Sequence, residues 1–168
     1  MINSHGFIKL IDFIFAKHVE DSSTKSWTLC GTPDYLAPEV ILAQGYTKAA
    51  DWWAVGVLTW ELVVGRTPWT SVRGGKWRQI EIYEEILQGG FVCPTSFSCE
   101  LVTFVTRLLE RRPEVRLGSN GEVRDQSWLE DVAWDEVWAR THPVPYLPRQ
   151  RIYNDVNHNR CQEDLKCF

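Results

Sequence analysis

The apolar positions of the chain fall into a few clear rhythms. From about Thr47 or Lys48 to Val64, Ala49, Ala50, Trp52, Trp53, Val55, Val57, Leu58, Trp60 and Leu62 surround a helical axis on nearly every side. That pattern predicts a long helix buried inside a domain. Thr47 suits its start, Gly65 its end, and Pro68 forbids continuation. A shorter helix is predicted over Glu81–Gln88, stopped by Gly89 and Gly90. Ser98 suits the cap of another, in which Leu101, Phe104, Val105, Leu108 and Leu109 recur at three- and four-residue intervals. Asp131–Arg140 reads as one more short helix. Phe7–Ile11 is β-prone behind Gly6 and predicts a short strand ending at Asp12. Between these elements, Glu20–Ser26 is polar, and Gly31-Thr32-Pro33 and Ala37-Pro38-Glu39 punctuate a second irregular stretch. From Pro143 on, three prolines by Pro148 predict an extended tail. The sum is a mainly α fold with a short β element near the N-terminus.

Composition narrows the class without naming a function. With 168 residues, 44% of them hydrophobic, one globular domain is expected. A net charge of −4 gives no footprint for nucleic acid. Cys30, Cys93, Cys99, Cys161 and Cys167 are odd in number and scattered, which suits reduced thiols rather than a disulfide frame or a metal site. No apolar run approaches bilayer length, so no membrane partner is expected. The segment Met1–His5 has neither the charged nor the apolar region of a signal peptide. The cytoplasm is the expected compartment, with the nucleus a second. Nine tryptophans promise large buried anchors.

The chemistry-bearing residues occur in an ordered series. Asp12-Phe13-Ile14-Phe15-Ala16-Lys17 is followed by Trp27-Thr28-Leu29-Cys30-Gly31-Thr32-Pro33, then by Tyr35-Leu36-Ala37-Pro38-Glu39 and Asp51-Trp52-Trp53-Ala54-Val55-Gly56-Val57, with Arg116 later. Taken alone, Asp-Phe at a strand end is a turn acid beside a core aromatic. In this order the series resembles the activation segment and central helix of serine/threonine protein kinases. The nearest similarity is to the cyclic-nucleotide-dependent enzymes of the AGC group, above all the cAMP-dependent ones, over about residues 6–148. The resemblance implies the C-terminal (large) lobe of the kinase fold, truncated. Residues 1–142 would form a partial kinase domain and 143–168 a partial AGC-type tail.

That resemblance also assigns expected roles. Asp12 would ligate the Mg²⁺ that bridges ATP phosphates, because this hard cation takes oxygen ligands. Thr28 would be phosphorylated, with Lys17 as a cationic partner. Thr32 would line the cleft. Glu39 and Arg116 would form a structural ion pair, and Asp51 would accept hydrogen bonds from the catalytic loop. Glu61, with Asp34 as a second acid, would read a substrate arginine, since carboxylates take guanidinium groups in a bidentate fashion. Trp27 and Tyr83 match surfaces that hold a cyclic-nucleotide-binding regulatory subunit.

Several family features are missing from these residues. There is no Gly-x-Gly-x-x-Gly, no Val-Ala-x-Lys and no His-Arg-Asp-x-x-x-x-Asn. The small lobe and the catalytic loop are therefore expected to be absent, and catalysis by this chain alone is not expected. Ile14 replaces the usual glycine, and a β-branched residue resists positive φ. Without the helices that precede the activation segment in the family, the Trp and Val side chains of the long helix are expected to face water. The alternative reading is a non-catalytic module that binds a regulatory subunit or substrate.

Overall fold

The computed structural model describes residues 1–19, 24–69, 79–119 and 123–148. Its helices are α1 (Pro38–Ile41), α2 (Ala49–Val64), α3 (Gln79–Gln88), α4 (Cys99–Leu108) and α5 (Trp134–Ala139), with 3₁₀ turns at Pro33–Tyr35 and Ser127–Leu129. They divide between two compact units, one spanning Ile14–Val132 and the other joining Met1–Phe13 to the chain from Ala133 onward. Cys161, Cys167 and the distal part of the expected tail lie outside the described residues.

In the larger unit, α2 and α4 pack directly on one another. Gly56 makes this possible: a Cβ there would stand 2.9 Å from both Leu108 and Leu109. Ser98 caps α4, its hydroxyl accepting the Leu101 amide at 3.2 Å, which satisfies one of the donors that a helix start leaves unpaired. The expected stripe of α4 is fully enclosed, with Leu101, Phe104, Val105, Leu108 and Leu109 all buried. Gly65 ends α2 in the left-handed conformation, φ 81°, a region glycine enters without steric cost. Arg111 closes the end of α3, its guanidinium donating to the carbonyls of Ile86 and Leu87.

Aromatic rings build the centre of this unit. Trp53 of α2 stacks on Trp69 with centroids 5.7 Å apart and planes 4° from parallel. Trp60 meets Phe91 and Phe97 edge-on. Trp53, Val57 and Trp60 are therefore buried, so the expectation that the Trp and Val side chains of the helix would face water fails for these three and holds for Val55 and Val63. The rings following α2 in sequence, Trp69, Phe91 and Phe97, cover the buried three. The opposite side of α2 is open, however: Val55, Leu58, Leu62 and Val63 are exposed. The helix is thus half-buried rather than enclosed all round.

The smaller unit departs from expectation at its start. Phe7–Ile11 does not form a strand; a single antiparallel bridge joins Ile2 to Ile8. The Asn3 side chain accepts the amides of His5 and Phe7, folding the segment into a tight turn. A strand persists when a neighbour takes its ladder hydrogen bonds over several residues, and Met1–Asn3 is too short to do so. Ile8 and Leu10 remain exposed. Helix α5 is shorter than the Asp131–Arg140 pattern, running from Trp134 to Ala139, with Arg140 capping it at φ 58°. Among the described residues no helix is long and apolar enough to cross a membrane.

Candidate functional site

The segment from Thr24 to Glu39 carries most of the singled-out residues, and two anchors fix it within the larger unit. The first is Glu39 in α1. Pro38 occupies a first-turn position, where its missing N–H removes no bond. The Glu39 carboxylate receives Arg116 Nη1 on Oε1 at 2.6 Å and Nη2 on Oε2 at 2.9 Å. Arg116 also donates from Nε to the Glu110 carbonyl, from Nη1 to that of Ala49 and from Nη2 to that of Arg111. All five guanidinium donors are thereby used. Arg116 is fully buried, Glu39 is 4% exposed, and the guanidinium lies 5.2 Å over the Trp53 ring.

The second anchor is Tyr46. Its backbone pairs with Ser26, amide to carbonyl in both directions at 2.8 and 2.9 Å. Its hydroxyl donates to the Thr28 carbonyl at 2.8 Å. Burial, followed by the neighbouring Cys30, raises the Tyr46 pKa. Trp27 lies against Gly45, where a Cβ would be 2.8 Å from the indole ring. Gly45 has φ 75°, so the turn and the ring contact both depend on glycine. Trp27 nevertheless remains 65% exposed.

Tyr46 borders a cleft of 520 Å³ lined also by Lys17, Ser26, Thr28, Lys48 and Asp51, among others. Lys17 Nζ donates to Ser26 Oγ at 3.3 Å, so its hydrogen-bond partner is Ser26. Thr28 is exposed. Asp51, in the first turn of α2, keeps more than a third of its surface, yet desolvation of its carboxyl raises its pKa.

A group of acids forms around the 3₁₀ turn. Tyr35 donates its hydroxyl to Glu61 Oε2 in α2. Asp34 Oδ1 accepts from Thr67 at 2.9 Å, and the Asp34 carbonyl accepts from Trp69 Nε1 at 2.9 Å. Burial first, then Glu61 and Asp34, push the Tyr35 phenol up to about 12. The structure therefore brings Asp34 and Glu61 to one tyrosine. Thr32 is exposed and begins this turn, its carbonyl accepting the Tyr35 amide at 3.0 Å. Tyr83, half-buried on α3, receives a hydrogen bond from Gln79. Tyr46, Thr67, Trp69 and Arg111, and the contact of Tyr35 with Glu61, escaped the sequence reading because the partners lie far along the chain and no periodicity marks them.

Asp12 belongs to the smaller unit and has φ 64°. Aspartate tolerates this conformation better than most residues. Ile14 does not adopt positive φ, as expected of a β-branched residue. Mg²⁺ requires near-octahedral oxygen coordination. Among the described residues no group of three or more His, Cys, Asp or Glu side chains could hold a metal. Among the described residues Asp12 therefore stands outside any such group.

A family model described as the protein kinase domain matches residues 1–129. The chain is 38% identical over 152 residues to a cAMP-dependent protein kinase catalytic subunit of Schizosaccharomyces pombe, covering 88% of this chain and 28% of that protein. Identity is 37% over 159 residues to a catalytic subunit of the same description from Dictyostelium discoideum, covering 92% and 23%. A cAMP-dependent protein kinase catalytic subunit-like protein of Caenorhabditis elegans is 39% identical over 152 residues, covering 88% and 36%. The chain thus spans about a quarter to a third of the length of these relatives.

Proposed function

This chain belongs to the protein kinase family, and from that premise we propose that it serves as the substrate-seating part of a serine/threonine kinase. Its substrates are proteins whose target hydroxyl lies in a basic sequence context, and ATP with Mg²⁺ supplies the phosphoryl group. The observation that carries this reading is the half-buried acid pair, Asp34 and Glu61, gathered at Tyr35 on a segment that the Glu39–Arg116 pair clamps to the core. Carboxylates held this way select guanidinium groups by charge and by planar geometry.

By themselves these 168 residues do not transfer phosphate. Phosphoryl transfer relies on positioning and electrostatics, which need a phosphate-covering loop, a phosphate-holding lysine, an acid at the attacking hydroxyl and paired metal ligands. Asp12 alone stands for the last of these. Thr28 is the proposed phosphorylation site. A phosphate there would add nearly two negative charges beside a cleft lined by Lys17 and Lys48. The test is a Mg·ATP titration followed by a transfer assay with an arginine-containing serine peptide. The expected outcome is no saturable nucleotide binding and no transfer. Micromolar ATP affinity would defeat the incomplete-site reading.

A second reading is a non-catalytic module that binds a cyclic-nucleotide-binding regulatory subunit. It draws support from Trp27, a large ring held out on Gly45. A pull-down comparing Trp27→Ala and Tyr83→Ala tests it, and unchanged retention by both variants removes it.

A further inference from the structure

We propose that Thr67 is a positioning residue that fixes Asp34 as one wall of the guanidinium subsite, with Glu61 as the other wall. The proposal rests on the basic-substrate reading above and adds how the acid pair is held.

Residue 34 is tied twice to the segment that follows α2. Its carboxylate accepts the Thr67 hydroxyl and its carbonyl accepts the Trp69 indole N–H. Both donors are buried: Thr67 is 8% exposed, and Trp69, 3% exposed, is stacked on Trp53. The neighbouring Tyr35 donates instead to Glu61. Consecutive residues of one 3₁₀ turn thus set two carboxylates, one through a hydroxyl received and the other through a hydroxyl given.

Each carboxylate uses one oxygen in this way. Among the described residues, Asp34 Oδ2 and Glu61 Oε1 carry no hydrogen bond. Both acids act on the same phenol, raising its pKa, which places them within electrostatic reach of one point. A half-buried aspartate without Thr67 would sample several rotamers and lose that freedom on binding. Thr67 removes the cost beforehand. The ligand chemistry is an arginine side chain of a peptide, because a planar cation with five forked donors suits two separately held acceptor oxygens better than a point charge does.

The test measures binding of two fluorescent peptides to this chain, one with paired arginines before a serine and one with alanines in their place. Thr67→Val keeps the shape and deletes the hydroxyl. It is expected to weaken the arginine peptide about tenfold, the lower end for one hydrogen bond to a charged group, and to leave the alanine peptide unchanged. Thr67→Ser is expected to restore binding. Asp34→Asn, which keeps the backbone bond to Trp69, is expected to lower the arginine preference by at least as much. If Thr67→Val weakens both peptides equally, or Asp34→Asn keeps the full preference, the proposal is overturned. A wild-type chain that prefers neither peptide defeats the basic-substrate reading itself, and this proposal with it.

Discussion

Glu39 and Arg116 stand 77 positions apart in the chain and meet as a two-pronged ion pair with the guanidinium wholly buried. Removing one partner from such a pair leaves an uncompensated charge in low dielectric, at a cost of about 3 to 5 kcal/mol. Glu39→Ala and Arg116→Ala are each expected to lower unfolding free energy by about that amount in denaturant titrations. The double variant should lose much less than the sum, because neither charge then remains stranded. Additive losses would show that the two side chains do not act as a pair.

Gly56 and Gly118 are expected to resist even one added methyl. At Gly56 the new Cβ would meet Leu108 and Leu109, and at Gly118, with φ 89°, it would meet the Trp52 ring at 2.4 Å. Overpacking of this kind costs about 1 to 3 kcal/mol. Gly65→Ala is the comparison, since nothing lies within 4 Å of its Cβ and only the φ of 81° opposes it. Melting temperatures should rank Gly65→Ala above Gly56→Ala and Gly118→Ala.

The Ser98 cap gives a smaller effect. Ser98→Ala removes the acceptor for the Leu101 amide and should cost about 1 kcal/mol, while Ser98→Asp should retain most of the stability. Urea titration distinguishes the two.

Alkaline pH should act through Tyr35. Its folded pKa of about 12 lies above the ordinary 10.0. Below pH 10 the phenol is protonated in both folded and unfolded chains, so its stabilising contribution is complete. As pH rises from 10 toward 12 the unfolded chain loses the proton first, and stability falls. Phenolate absorbance should show a late-titrating component that vanishes in Tyr35→Phe. If the component lost in Tyr35→Phe titrates near the ordinary 10.0 instead, the burial of Tyr35 and its contact with Glu61 do not hold in solution.

The helices were readable because their signals are local. The α4 stripe, the Ser98 cap and the Gly65 stop all act within a few residues. The α1 turn was hidden because Pro38 and Gly31 read as loop punctuation, and only packing and the Arg116 clamp make four residues helical there. The strand at Phe7–Ile11 failed for the opposite reason: its propensity was right, but pairing depends on a neighbour that propensity cannot supply. At the site, the pairing of Glu39 with Arg116 could be expected from the order of motifs. Thr67, Trp69 and Tyr35 could not, since a hydroxyl or indole gains meaning only from the distant oxygen it reaches.

The near-parallel stack of Trp53 on Trp69 has an optical consequence. Indoles this close exchange excitation energy, so their emission and their near-ultraviolet dichroism report on each other. That shared signal arises only once α2 has met the segment that carries Trp69, which gives the protein an intrinsic spectroscopic gauge of core assembly.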